Sequence, residues 1–164
     1  MRRYGYYQIL QNKPMFTHKT LNFPEHFLLD APRIDEVFEL VDSTVVKEQY
    51  GCINIAFLHD GEIQELNRIY RWIDSPTDVL SFHYVDDYTF TEVDSIVWEI
   101  VLSEAKIIHQ AEEHHHSPRE ECEILIIHGL LHLLGYDHES DSDFETMWEH
   151  ESKIRETLWL NLER

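Results

Sequence analysis

The chain is 164 residues long, a length one hydrophobic core can serve, and its 43% apolar content excludes a disordered polypeptide. Its formal net charge of −19 excludes a broad electrostatic grip on nucleic acid or an anionic membrane, so attraction for any polyanion must be local. No run approaches the roughly 18 apolar residues of a spanning helix, and MRRYGYYQIL lacks the apolar stretch of a secretory signal, so a soluble, cytoplasmic protein is expected.

Residues 4–10 are aromatic and predict an edge strand, whereas residues 11–24 are mixed and polar and predict a loop. From Pro32, which suits a first helical turn, Ile34, Val37, Phe38, Leu40, Val41 and Val45 recur with helical spacing, and Gly51 is expected to close that helix. Residues 52–58 (CINIAFL) have strand length and composition and precede a polar turn, His59-Asp60-Gly61. Residues 62–70 predict a short helix burying Ile63, Leu66 and Tyr70. In the turn Asp74-Ser75-Pro76-Thr77-Asp78, Pro76 pushes Ser75 away from helical backbone.

Residues 79–84 (VLSFHY) and 95–102 (SIVWEIVL) predict two more strands, separated by an acidic surface loop at 86–94. Ser103 is placed to cap a helix reaching about residue 115. Ser117-Pro118-Arg119-Glu120 is a strong helix start: a cap, a proline at the first position, and a glutamate three residues after the cap. That helix is apolar almost all round in its second half, which predicts a central, buried position. An acidic stretch at 139–143 then leads into a last amphipathic helix at 144–160. The expected fold is α+β: one domain over residues 1–164, with a small mixed sheet of about four strands packed with helices. Cys52 and Cys122 each sit in an apolar stretch and read as buried, reduced thiols.

The central helix carries the chemistry. His128 and His132 are four residues apart, so they stand on one helical face with backbones roughly 6 Å apart. Gly135 can adopt φ > 0 and end the helix, bringing His138 back from another direction. Three imidazoles with a position left for water form a catalytic zinc arrangement, although Ni²⁺ or Cu²⁺ suits the same ligands. Without a metal, three imidazoles set among Ile and Leu would each need a buried partner.

The pattern H-x-x-x-H-x-x-G-x-x-H has metzincin peptidase spacing, but Gly129 stands where those enzymes place a glutamate base. A mid-helix glycine costs about 1 kcal/mol relative to alanine. Either something approaches the backbone beside the metal, or the helix packs closely on a neighbouring element. Asp137 either orients a histidine or ends a turn. His114-His115-His116 point in different directions and read as a solvated helix end, and His83 is expected near the site. Arg71, at a helix C-terminus, interacts favourably with the helix dipole there and is also a planar fork suited to a phosphate.

LNRIYR (66–71), DSPTDVLSF (74–82), the strand before Ser103 and HGLLHLLGYDH (128–138) together resemble the YbeY family, single-strand-specific endoribonucleases with a three-histidine zinc site. The resemblance covers residues 66–148. It implies one zinc ion held by His128, His132 and His138, and a substrate-facing, catalytic role for Arg71. It further implies action on single-stranded ribosomal RNA, including 16S 3′-end maturation and ribosome quality control. Trp72-Ile73 replace a pair that is commonly Gly-Lys in the family, and Trp98-Glu99 replace Gly-Asp. No residue stands out as general base. The acidic balance suits ribosomal small-subunit proteins or an assembly GTPase as partners, which keeps an assembly factor with a mainly structural zinc, beside a metallopeptidase, as an alternative.

Overall fold

A four-stranded sheet frames the fold in the computed structural model, which describes residues 16–45, 51–84 and 95–162. The strand expected at 4–10 and the acidic loop expected at 86–94 lie outside those residues. Strands β1 (Phe16–Leu21), β2 (Gly51–Leu58), β3 (Val79–His83) and β4 (Ile96–Ser103) are ordered β1-β2-β4-β3. β1, β2 and β4 run parallel, and β3 is antiparallel to β4. The central pair, β2 and β4, is buried on both faces, which is why both read as nearly unbroken apolar runs. The helices are α1 (Ala31–Thr44), α2 (Asp60–Arg71), α3 (Glu104–Glu113), α4 (Pro118–Leu133) and α5 (Asp141–Thr157). The α+β class with a mixed four-stranded sheet is the one expected.

Four expectations are corrected. The polar segment expected as a loop contains β1, paired with β2 from Phe16↔Gly51 to Leu21↔Ala56. Only Phe16 of that strand is buried, so FTHKTL lacks apolar alternation and its pairing with β2 holds it extended. Gly51 does not close α1, which ends at Thr44 with Val45 as its cap; it opens β2 at φ 146°, where an added Cβ would lie 2.5 Å from Val97. His59-Asp60-Gly61 is a helix start rather than a free turn, with the Glu62 carboxylate accepting the His59 N–H at 3.0 Å. Tyr70 is 62% exposed instead of buried, because α2 covers Leu80 and Val101 with Ile63 and then extends until Tyr70 meets Phe82 edge-on.

Capping signals locate the other helix starts. Ser103 Oγ accepts the Lys106 N–H, Ser117 Oγ the Glu120 N–H and Ser140 Oγ the Asp143 N–H, each close to 3.1 Å. The last of these starts α5 at Asp141, three residues before the expected position. Helix α4 lies against the sheet face that carries Ile100, while Ile63 of α2 packs with Leu80 and Val101 on the opposite face. Both cysteines are buried, and burial pushes the Cys122 thiol well above its ordinary pKa. Among the described residues no helix is long and apolar enough to cross a membrane.

Candidate metal centre

Helix α4 buries Cys122 to Ile127 and Leu130, Leu131 and Leu133, so its polar face is narrow, and His128 and His132 stand on it. The helix ends in paired bonds from Gly135 N–H to the His132 carbonyl (2.9 Å) and from Tyr136 N–H to the Leu131 carbonyl (3.0 Å). Gly135 takes φ 87°, as the returning chain requires. The turn brings His138 to the other two rings. One ligand nitrogen from each of His128, His132 and His138 lies within 4.8 Å of the others, so this group could hold a metal ion. The ring centroids are 4.6, 5.0 and 5.6 Å apart.

The surroundings of two rings decide which nitrogens face inward. His128 Nδ1–H donates to Glu151 Oε2 at 3.2 Å, and His132 Nδ1–H donates to the Tyr136 carbonyl at 3.0 Å. A carbonyl and an arginine-paired carboxylate both accept, so each ring, when neutral, carries its proton on Nδ1. Their Nε2 atoms face each other at 3.0 Å, an arrangement that either a shared proton or a bound cation satisfies. Burial, with His128 and His138 close by, pushes the His132 pKa down to about 4, so its ring is neutral near pH 7. His138 is exposed, which leaves one side of the group open to solvent. The donor set fits a divalent, imidazole-binding metal.

Glu151 was not apparent from the sequence. Its carboxylate, with the side chain 1% exposed, meets His128 through one oxygen and Arg155 Nη1 through the other at 3.0 Å. Arg155 is equally buried and also donates to the Asn161 carbonyl. A signal did exist: Glu151 occupies the apolar phase of α5 between Met147 and Ile154, a place a solvated glutamate would not take.

Arg71 lines the same cavity as the three histidines, a space of about 450 Å³ that continues along α4 to Glu121. His116 corrects the reading of a solvated histidine run: its side chain is 5% exposed and its Nε2 pairs with the Glu121 carboxylate in that cavity. Asp137 accepts the His138 N–H at 2.8 Å and lies 4.0 Å from His132 Nδ1, so it serves the turn and leaves ring orientation to Tyr136. His83 does not line the cavity; its Nε2 meets the Leu133 carbonyl at 2.8 Å and joins β3 to the end of α4. Trp98 is fully buried against Phe16. Glu99 alternates to the face opposite Ile100 and accepts from Asn54 and Tyr84.

Gly129 faces the sheet. A Cβ there would come within 3.2 Å of Ser81 Oγ and 3.3 Å of Ile100, so close packing explains the glycine. Gly129→Ala is expected to lower stability by about 1 kcal/mol, read from chemical denaturation, because overpacking of roughly 1–3 kcal/mol outweighs the gain in helix propensity.

A family model described as Endoribonuclease YbeY matches residues 28–159. The Endoribonuclease YbeY of Carboxydothermus hydrogenoformans is 37% identical over 140 residues, spanning 85% of this chain and 95% of the relative. That of Caldanaerobacter subterraneus subsp. tengcongensis is 39% identical over 120 residues, spanning 66% and 74%. The solution structure of TM1509 from Thermotoga maritima superposes with a TM-score of 0.54 at 25% identity, covering 87% of this chain and 92% of that one. The matched span contains the whole histidine group, its Glu151 support and Arg71, and on that basis the chain belongs to the endoribonuclease YbeY family.

Proposed function

We propose that this chain is a zinc-dependent, single-strand-specific endoribonuclease of ribosomal RNA processing, 16S 3′-end maturation included. His128, His132 and His138 are the metal ligands, and Arg71 meets the scissile phosphate. The pair of Nε2 atoms facing each other at 3.0 Å, with both Nδ1 atoms already donating, carries the reading. When bound, zinc supplies Lewis acidity and lowers the pKa of a water toward roughly 7. The protein's part is to hold three rings in place and leave one side open. Arg71 lines the cavity, and its guanidinium neutralises charge on the non-bridging phosphate oxygens. The −19 charge suits basic ribosomal proteins, or an assembly GTPase with a basic face, as partners that bring RNA to the site.

Gly129 argues against a peptidase. Its side-chain position is filled by Ser81 and Ile100, so no glutamate base fits there. The Arg71→Ala variant tests the assignment. It is expected to keep its metal, measured by elemental analysis, and to cut single-stranded RNA about 10–100-fold more slowly, as loss of a charged hydrogen bond implies. The slope of log affinity against log salt should fall by about one counterion. Full activity in this variant would remove Arg71 from the site.

A further inference from the structure

At the C-terminal end of α2, Ile69, Tyr70, Trp72 and Ile73 are exposed by 50%, 62%, 91% and 51%. Folding does not account for this stretch. Trp72 caps the helix at φ 64°, a left-handed conformation that favours glycine, and its indole buries almost nothing in return. Tyr70 stands edge-on to Phe82 at a centroid distance of 5.1 Å and otherwise faces solvent. Between Tyr70 and Trp72 stands Arg71, which lines the histidine cavity and forms no ion pair among the described residues.

A chain of net charge −19 cannot hold RNA by a broad basic surface. Base stacking on exposed aromatic rings is indifferent to that charge and tolerant of base identity. We infer that Tyr70 and Trp72, flanked by Ile73, form a stacking platform for unpaired bases of the RNA strand whose phosphate Arg71 holds. The inference rests on the endoribonuclease reading and adds how an acidic protein retains its substrate. Arg71, between the two aromatic residues in the chain, lines the cavity, so the platform lies beside the phosphate that Arg71 would hold. Single strands are favoured because bases in a duplex have no free face to offer.

Trp159 provides an internal control. It is 94% exposed at φ 60°, but neither it nor its neighbours Leu158 and Leu160 line the cavity. The test measures binding of the metal-loaded protein to a short single-stranded RNA and to an abasic strand of equal length, by fluorescence anisotropy across a salt series. Wild type should prefer the base-bearing strand about tenfold. Trp72→Gly, which relieves the backbone, should lose about tenfold on that strand and nothing on the abasic one, with salt slope and metal content unchanged. Trp72→Phe should recover most of the loss, and Trp159→Gly should match wild type.

Equal binding of both strands by wild type overturns the inference, as does unchanged affinity in Trp72→Gly. Equal loss on both strands also overturns it, since Trp72 would then be positioning Arg71. A patch that captures a ribosomal protein while leaving RNA affinity indifferent has the same consequence. Cleavage is scored separately on the same strands. Product formation with unaltered binding in Trp72→Gly ends the platform and spares the nuclease, whereas strand discrimination without product does the reverse.

Discussion

His132→Ala is expected to take the metal content from about one ion per chain to near none and to slow RNA cleavage by at least about 10³-fold, or roughly 4 kcal/mol of barrier. The ring contributes one of three inward nitrogens, and two imidazoles that remain hold a divalent ion poorly. The fold should survive the change. His132 is partly exposed, and its ring donates to the Tyr136 carbonyl at a helix end that the Gly135 turn already closes. Unfolding of the metal-free variant should therefore stay within about 1 kcal/mol of metal-free wild type. Added Zn²⁺ should raise the melting temperature of wild type in proportion to log concentration and leave the variant unmoved, because only the folded wild type binds the ion. A variant that kept its metal and cut RNA at the parental rate would dismiss the three-histidine site.

The parts of this site legible in the sequence are those made by local geometry. His128 and His132 share a face because helical spacing requires it, and Gly135 announces the turn that returns His138. Ser103 and Ser117 mark helix starts for the same local reason, the need of first-turn N–H groups for acceptors. What escaped depends on partners distant in sequence. β1 is extended because β2 pairs with it some thirty residues later, and its polar side chains carry no trace of that pairing. His116 is buried because Glu121 and Asn161 close over it, so its position in a polar histidine run misleads. Gly129 offered two readings until Ser81 and Ile100 were seen behind it. Glu151 was hidden because docking of α5 on α4 alone determines what a buried carboxylate meets.

Glu151→Ala should be the most destabilising single change near the site, by about 3–5 kcal/mol in denaturant unfolding. Removing the carboxylate takes away the oxygen that pairs with the buried Arg155 guanidinium and the one that accepts from His128 Nδ1–H. The Asn161 carbonyl and the Trp148 ring still meet Arg155, but neither replaces the full negative charge lost with Glu151. Structural and orienting roles of Glu151 predict different outcomes in the double variant Glu151→Leu/Arg155→Met. Replacing both members of a buried pair with apolar groups is often neutral or stabilising, so most of the lost stability should return. Metal affinity should not return. Without the Glu151 carboxylate at Nδ1, the tautomer and orientation of the His128 ring are held less firmly, and affinity should stay about 10–100-fold below wild type. Competitive titration with a chromogenic chelator measures this directly. If the double variant regained both stability and metal affinity, Glu151 would be a packing partner of Arg155 and nothing more; if it regained stability alone, the carboxylate orients the first metal ligand.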